Sequence, residues 1–456
     1  MSLSHLFDPD GIAVIGASKT PGKLGNDAMT NIESYDGDVY PVNPSSSGTV
    51  YGYEFVDSVH DVEADLALCC VPGPVLPEVI EECGEAGIGA AVIFAGGFAE
   101  VDADGEQLER TITDLADEYD ITLLGPNTAG YILPDLDLYG SFVPRIREVE
   151  SGNVGILAQS GGVGVTASFQ LEREGYGVSA MFGLGNRANT GFAELIPELD
   201  ADPNTDAIAL HIEGTEDFEG FLEACENAET PIVAFKVGES DVGEFVQSHT
   251  AAPDHDNETY ERALSTRGVT MVSSLTELID ASRALADSPV PDGQNVGVVT
   301  AQAGPGIIVA DALKQEGIEF PDLTDATQET VDDLLQGITY TENPVDTGRP
   351  MPEFGEVVEA VARDENVDIV IVYEIYEDSL GYPVEELESL TDDIDKPVLF
   401  TIAGPNHALE EERRAMEDIG VPTFQSPQRG ADAVAALVDS ISEEREESDL
   451  SVTSSQ

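Results

Sequence analysis

Short apolar runs alternate along the chain with longer stretches in which apolar residues recur at helical spacing. Residues 12–15, 39–42, 66–71, 90–94 and 121–124 are rich in Val, Ile, Leu and Ala, and their length predicts strands. Residues 75–86 and 106–119, between them, carry the helical pattern. Strand–helix alternation of this kind predicts a parallel sheet with helices on its faces. Regularity fades across residues 133–145, where Pro and Gly accumulate, and a first boundary is expected there.

A second set of strands is expected at residues 154–158, 207–212, 232–237 and 269–272, and a third at 296–300, 369–373, 398–402 and 421–424. Residues 287–295, with two Pro and a Gly, read as the linker between the two sets. These sets repeat each other. Asn153-Val-Gly-Ile-Leu-Ala-Gln-Ser-Gly-Gly-Val-Gly164 aligns with Asn295-Val-Gly-Val-Val-Thr-Ala-Gln-Ala-Gly-Pro-Gly306, without a gap as far as Gly175 and Gly317. Two copies of one strand–turn–helix design predict related α/β domains. The expected organisation is a domain at 1–135, a second at 150–286, a third at 293–440 and an acidic, frayed tail at 441–456.

Charge changes the picture next. Against 90 Asp and Glu stand 19 Lys and Arg, a formal net charge of −71. Neutralising nucleic-acid phosphates needs clustered cations, so a basic nucleic-acid face is excluded, and docking on an anionic membrane is disfavoured. The 41% hydrophobic content argues against disorder. Few Lys, abundant carboxylates and no Trp fit a salt-rich cytoplasm, where short Debye lengths screen self-repulsion. Cys69, Cys70, Cys83 and Cys225 form no Cys-x-x-Cys pair and read as reduced core thiols. No signal peptide and no transmembrane run is evident, so a cytoplasmic location is expected.

Two Gly-rich turns carry candidate chemistry. The first, Gly16-Ala-Ser-Lys-Thr-Pro-Gly-Lys-Leu-Gly25, follows a strand and places a helix N-terminus where a phosphate can bind. It is neither Gly-x-Gly-x-x-Gly nor a Walker A loop, and the second strand ends Pro41-Val-Asn-Pro44 with no acid for an adenosine ribose. Both facts weaken a NAD-dependent dehydrogenase reading. The second turn, Gln159-Ser-Gly-Gly-Val-Gly164, offers the backbone N–H groups of Ser160, Gly161 and Gly162 to an anion. Its third-domain copy lacks the Ser and has Pro305, so the second domain is the chemical one. For either turn the plain alternative is a compact βα connection.

Of the six histidines, His5, His60 and His407 read as surface residues and His211 as a packed core residue. His249 and His255 lie in a polar stretch without hydrophobic period, where a phosphate carrier or a merely solvated histidine fits. No spacing supports a metal site.

The order of these motifs resembles the CoA-binding and ligase domains of the succinyl-CoA synthetase superfamily. Gly16-Ala-Ser18, Pro41-Val-Asn-Pro44, Val71-Pro72, Gly96-Gly-Phe-Ala-Glu100 and Gly125-Pro-Asn127 carry the first part. Ser160-Gly-Gly162, Gly185-Asn186, Glu213-Gly214, Ser248-His-Thr250 and Asn343-Pro-Val-Asp346 carry the rest. The pattern is most similar to alpha subunits of ADP-forming acetyl-CoA (acyl-CoA) synthetases. The resemblance implies a Rossmann-like CoA-binding domain followed by two flavodoxin-like parallel-sheet domains. It implies that acyl-CoA, ADP and phosphate interconvert with acid, CoA and ATP through an acyl phosphate and a phosphohistidine. By resemblance His249 is the carrier, Glu213 orients its ring, and Ser160, Gly161 and Gly162 hold the phosphoryl group. Asn186 lines the acyl/phosphate pocket, and Gly16, Ser18, Lys23, Asn43 and Pro72 border CoA. ATP/ADP and Mg are then expected on a separate ATP-grasp beta subunit, in a heterotetramer, with a small carboxylic acid as the remaining substrate. The motif departs from the family where Thr250 is followed by Ala251-Ala-Pro253, where Ser45 follows Val-Asn-Pro, and where Thr128 follows Gly-Pro-Asn. The competing expectation is a catalytically silent CoA-binding or regulatory protein of the same fold.

Overall fold

A computed structural model describes residues 3–238, 257–335 and 340–453, with side chains as far as Ile441. The chain divides into two compact units, residues 1–267 and 268–456.

The first unit opens with β1 (Gly11–Ile15), β2 (Asp38–Val42), β3 (Leu66–Cys69), β4 (Ala90–Ile93) and β5 (Thr122–Leu124). They pair in parallel in the order β2-β1-β3-β4-β5. Every residue of β1, β3, β4 and β5 is buried, as expected of central parallel strands covered on both faces. Helices α1 (Leu24–Asn31), α2 (Leu76–Ala86) and α3 (Ala103–Tyr119) make the crossovers. Asp102 caps α3 by accepting from the N–H groups of Asp104 and Gly105. Gly87, with φ +86°, ends α2 in the left-handed conformation that favours glycine.

The same unit continues into a second sheet. Its parallel strands are β8 (Ser151–Ala158), β9 (Val178–Gly183), β10 (Ala207–Ile212) and β11 (Ile232–Lys236). Ahead of them β6 (Gly130–Leu133) and β7 (Leu138–Ser141) form an antiparallel hairpin, and β6 pairs antiparallel with β9. The order is β11-β10-β8-β9-β6-β7. Residues 133–145, expected to be an irregular boundary, thus supply an edge hairpin to the next sheet. Helices α4 (Gly161–Arg173), α5 (Phe192–Asp200) and α6 (Phe218–Asn227) cover this sheet.

Several hydrogen bonds tie the two sheets of this unit together. Asn31 Nδ2 donates to the carbonyls of Ser141 and Val143, at 2.7 and 2.9 Å. Asn189 accepts from Leu123 N–H at 2.8 Å and donates to Ile121 O at 3.1 Å. The buried Tyr131 hydroxyl donates to Leu6 O at 2.8 Å.

The second unit begins with the strand Val269–Val272 and the helix Leu275–Asp287. Its sheet contains β12 (Val296–Thr300), β13 (Val345–Asp346), β14 (Ile369–Ile375), β15 (Val398–Ala403) and β16 (Thr423–Phe424), all parallel, in the order β13-β12-β14-β15-β16. This is the same doubly wound order as in the first sheet. The repeat is exact at its first helix: α7 (Ala303–Gln315) has the limits of α4 displaced along the ungapped alignment. Both helices are followed by a left-handed glycine, Gly175 and Gly317, at φ +83° and +79°. Arg429 makes two 2.6 Å bonds to the buried Asp280 and so joins the last helix, Pro427–Thr453, to Leu275–Asp287. That last helix runs as far as Thr453, through most of the segment expected to fray.

Glu374, on β14, is 3% exposed, and among the described residues one of its carboxylate oxygens has no hydrogen-bond partner. Burial, aided by the nearby Glu412, pushes its carboxyl up to about 8. A glutamate raised in the folded state favours folding below its unfolded value near 4.5, and that contribution is lost as pH rises through about 8. Glu374→Gln is therefore expected to melt with the parent chain at pH 4.5 and at progressively higher temperature than the parent toward pH 8, read by thermal circular dichroism. Equal melting temperatures across this range would contradict the burial argument. Net charge generates a second expectation. Diluting salt from ~1 M to ~0.01 M lengthens the Debye length from ~3 to ~30 Å and should lower the melting temperature steadily; a salt-independent transition would count against self-repulsion as a limit on stability.

Candidate functional site

Two clefts in the first unit gather the residues singled out from sequence. The smaller, about 560 Å³, lies at the carboxyl ends of β1, β2 and β3. Gly16, Ser18, Lys23 and Asn43 line it, together with Lys19 and Ser45. Its shape depends on two glycines. Gly16 has φ +85°, and a Cβ there would sit 2.6 Å from Cys70 O. A Cβ on Gly25 would sit 2.1 Å from Gly16 O, so α1 starts directly against the turn. Asn43 Nδ2 donates to Ala17 O at 2.8 Å, while its Oδ1 accepts from Ser45 N–H at 2.9 Å. Asn43 thereby locks the β2 turn to the β1 turn, at the position where a dinucleotide fold would present an acid. Pro72 is not among the lining residues; it precedes the short 3₁₀ turn Gly73–Val75 beyond β3.

The chain has five lysines, and two of them, Lys19 and Lys23, face this cleft. Lys19 Nζ donates to Ser47 O and stands 5.5 Å from the Phe55 ring centroid. Lys19 was not singled out from sequence, because only the folded turn sets it opposite the β2 loop.

The larger cleft, about 790 Å³, lies between the two sheets of this unit. Ser160, Gly161, Gly162, Asn186 and Glu213 all line it. Each follows the carboxyl end of a parallel strand: Ser160 after β8, Asn186 after β9 and Glu213 after β10. Parallel sheets present ligand-binding groups at this edge. Helix α4 starts at Gly161, and the N–H groups of a helix's first turn have no acceptor within the helix. A Cβ on Gly161 would sit 2.7 Å from Ala129, so only glycine permits that approach. Gln159 Oε1 accepts from the N–H groups of Glu213 and Gly214, at 2.8 and 2.9 Å. This side chain fixes the Glu213 turn against the Ser160 turn; its role depends on tertiary contact and was not visible in the motif.

Asn186, which follows β9, is held by groups of the first domain. Its Nδ2 donates to Glu100 at 2.8 Å and to Glu109 at 2.7 Å, and its own N–H donates to Pro126 O at 2.9 Å. Burial works to raise the Glu100 carboxyl, but Asn186 and the N–H groups of Gly97 and Phe98 outweigh it and hold the group below its ordinary range. Glu109 goes the other way: burial keeps it above that range despite Asn186 and Ala99 N–H. Glu100 thus favours the carboxylate form more strongly than Glu109 does. Arg187, next in sequence, also lines the cleft, with φ +60°.

His249 and His255 lie in residues 239–256, outside the described residues. His211 is 3% exposed on β10; burial, and then Lys236, push it down to about 4, so it is a neutral core residue. His60 and His407 are exposed, and His5 contacts Asp65 at 3.3 Å. All four cysteines are free, and three are fully buried. No helix among the described residues is long and apolar enough to cross a membrane.

Known protein families match two stretches of the chain. A CoA binding domain matches residues 10–134, and a succinyl-CoA ligase like flavodoxin domain matches residues 151–285. The alpha subunits of ADP-forming acetate–CoA ligases II and I of Pyrococcus furiosus are 32% and 31% identical, over 96% of this chain and 97% of each relative. The ADP-forming acetate–CoA ligase I of Archaeoglobus fulgidus is 31% identical over 95% of this chain and 63% of its own length. Among solved structures, the dinucleotide forming acetyl-coenzyme A synthetase 1 of Ca. Korarchaeum cryptofilum, in complex with phosphate and ADP, superposes with a TM-score of 0.88 at 27% identity, covering 97% of this chain and 98% of that one. A Pyrococcus horikoshii crystal structure superposes with a TM-score of 0.87 at 30% identity, covering 97% and 99%. Two matched domains in the expected order, and relatives aligned along nearly their whole length, place the chain in the family of ADP-forming acetate–CoA ligase alpha subunits.

Proposed function

We propose that this chain is the alpha subunit of an ADP-forming acyl-CoA ligase, interconverting acyl-CoA, phosphate and ADP with the acid, CoA and ATP. One observation carries the reading: Ser160, Gly161, Gly162, Asn186 and Glu213 converge on a single cleft bounded by the domain that matches the CoA-binding family. In this reaction an oxygen of phosphate attacks the thioester carbonyl. The C–S bond breaks, CoA leaves as the thiolate, and an acyl phosphate forms. A histidine nitrogen then attacks phosphorus, the carboxylate leaves, and the phosphohistidine delivers its phosphoryl group to ADP.

His249 is proposed as that carrier. β10 and β11 are in parallel register, with Ile212 opposite Lys236, so the chain leaves β11 at the sheet edge where Glu213 stands. Residues 239–256 follow directly. A carboxylate that accepts one imidazole proton leaves the other nitrogen as the nucleophile, and Glu213 is proposed for this part. Helix α4's first turn, with its partial positive charge, suits the phosphoryl group. Asn186 is proposed to line the acyl and phosphate pocket.

Gly16, Ser18, Lys23 and Asn43 are proposed to border CoA, with Lys19 added by the structure. Lysines and turn N–H groups fit the CoA phosphates. Pro72 stands just outside this cleft and is proposed to shape its β3 side. Like the Pyrococcus alpha subunits, the chain works with a partner subunit. We place ATP/ADP and Mg on that partner, as an ATP-grasp subunit in a heterotetramer in the cytoplasm. The Archaeoglobus relative extends beyond the matched region, which covers 63% of its length, and this supports a second component.

With the partner subunit present, His249→Ala is expected to abolish ATP formation from acyl-CoA, ADP and phosphate. Glu213→Gln is expected to slow labelling of the histidine on the order of 100-fold while leaving CoA affinity intact. Acid-labile, base-stable phosphate located by mass spectrometry on His249 is the direct check; label on His255 would move the assignment, and no labelled histidine would favour a silent CoA-binding protein. For the smaller cleft, Lys19→Gln and Lys23→Gln are each expected to raise the KM for CoA by about tenfold, the loss of one charge-assisted phosphate contact. An unchanged KM in both would remove CoA from this cleft, and tighter binding of NAD than of CoA would reverse the assignment.

A further inference from the structure

The larger cleft has an electrostatic difficulty that the motif residues do not resolve. Six carboxylates line it: Glu100, Glu106, Glu109, Asp114, Glu213 and Glu216. Every substrate the reaction would bring there carries negative charge. A helix N-terminus contributes only about half an elementary charge. Two full cations line the cleft, Arg110 and Arg187. Arg110 is 64% exposed and is already paired with Glu106 one turn away on α3. Arg187 is therefore the cation left for a ligand.

Its placement supports that role. Arg187 lines the larger cleft together with Ser160, Gly161 and Gly162, and it also lines a neighbouring cavity of about 200 Å³ beyond Asn186. A non-glycine residue at φ +60° is strained and persists only where its surroundings impose it, a pattern that clusters at ligand clamps. Here Gly185, also at φ +60°, precedes it, and Asn186 N–H and Ala188 N–H donate to Pro126 O and Gly125 O. The turn between them is thereby fixed. Among the described residues the guanidinium makes one hydrogen bond, from Nη1 to Gly185 O at 3.3 Å, and no ion pair within 4.0 Å. Burial works against its charge, while Glu216, Glu213, Tyr260 and Glu109 sustain it at longer range. A guanidinium has five N–H donors in a planar fork suited to two oxygens of one anion, and a single long bond leaves most of that capacity unused.

We infer that Arg187 is the anion-binding side chain of this cleft, holding the substrate oxyanion beside the Ser160–Gly162 turn. The inference rests on the ligase reading above and names a binding residue that reading does not include. Phosphate and carboxylate share the chemistry of paired oxygens, so the two sources are separated by experiment.

The test uses the full chain assembled with its partner subunit, as Arg187→Gln and Arg187→Lys. KM values are measured for phosphate in the ATP-forming direction, for the acid in the reverse direction, and for CoA. Arg187→Gln is expected to raise the KM of at least one anion by about 10- to 100-fold, the range of a lost charge-assisted pair, with the KM for CoA unchanged. Arg187→Lys should recover part of the loss, because the charge returns without the fork. A rise for phosphate alone identifies the phosphoryl site, and a rise for the acid alone identifies the carboxylate. Unchanged KM values for both anions would overturn the inference, as would an equal rise for CoA. A second readout needs no turnover. Phosphate, against chloride at matched ionic strength, should raise the melting temperature of the full chain, and Arg187→Gln should abolish the rise. Should His249→Ala leave turnover intact, the carrier assignment falls while this titration still judges Arg187. Should Arg187→Gln fail to fold, the KM values and phosphate titration of Arg187→Lys decide: parent-like anion KM values together with parent-like stabilisation by phosphate count against the fork.

Discussion

The governing constraint is the placement of a few cations among many carboxylates. CoA, phosphate, acyl phosphate and the free acid are all anions, while the chain carries 90 acidic and 19 basic side chains. Random distribution would leave every cleft repulsive to its substrates. Two devices offset this locally. Two of five lysines flank the Gly16 turn. In the other cleft the proposed anion contacts are backbone N–H groups at α4 and Arg187, neither of which adds much to net charge. Such local arrangements keep their effect in strong salt, because contacts at hydrogen-bond range are screened far less than fields across a Debye length.

A second constraint is that the larger cleft is built from two sheets, so its geometry depends on how they are held. Asn186 is the joint. It leaves β9 in one sheet and gives both amide hydrogens to Glu100 and Glu109 of the other. Glu100's carboxyl is held below its ordinary range and Glu109's above it, so the carboxylate form is the more strongly held at Glu100. The Gly97 and Phe98 N–H groups complete Glu100's hydrogen bonds, so the Gly96–Glu100 loop and the β9 turn are fixed by the same group. Asn31 and Asn189 repeat the device elsewhere, each meeting main-chain groups of the neighbouring layer. Neutral amides are well chosen for this in so acidic a chain, since they accept and donate without adding charge.

Most of the sheet was legible in the sequence because central parallel strands read as unbroken apolar runs. β1, β3, β4, β10 and β12 are of that kind. What escaped had weaker signals. β9, Val-Ser-Ala-Met-Phe-Gly, is fully buried yet has one β-branched residue. β6 and β7 are short, and Pro134 and Asp135 between them suggest a loop. Their strand state comes from pairing with β9, a contact distant in sequence. The site divides along the same line. Turn residues whose backbone must be glycine, or whose motif order is diagnostic, were singled out. Lys19, Gln159 and Arg187 were not, because each acts across a gap that exists only after folding.

The internal repeat shows which features the chemistry requires and which the fold alone retains. In both copies the residue directly after the first strand closes onto the neighbouring strand: Gln159 N–H donates to His211 O, and Ala301 N–H to Tyr373 O. In the second domain the Gln159 side chain then reaches on to Glu213 and Gly214. Ala301 has no side chain that could do this. The strand, the helix, the glycine after it and the main-chain bond are retained, yet the side-chain bridge to the neighbouring strand end is gone. On the helices the difference runs outward as well. Val165 is 8% exposed in the first copy, and its counterpart Ile307 is 66% exposed in the second. The parallel-sheet scaffold therefore tolerates loss of the bridge, and holding Glu213 beside the Ser160 turn needs a specific side chain at position 159, not merely the fold.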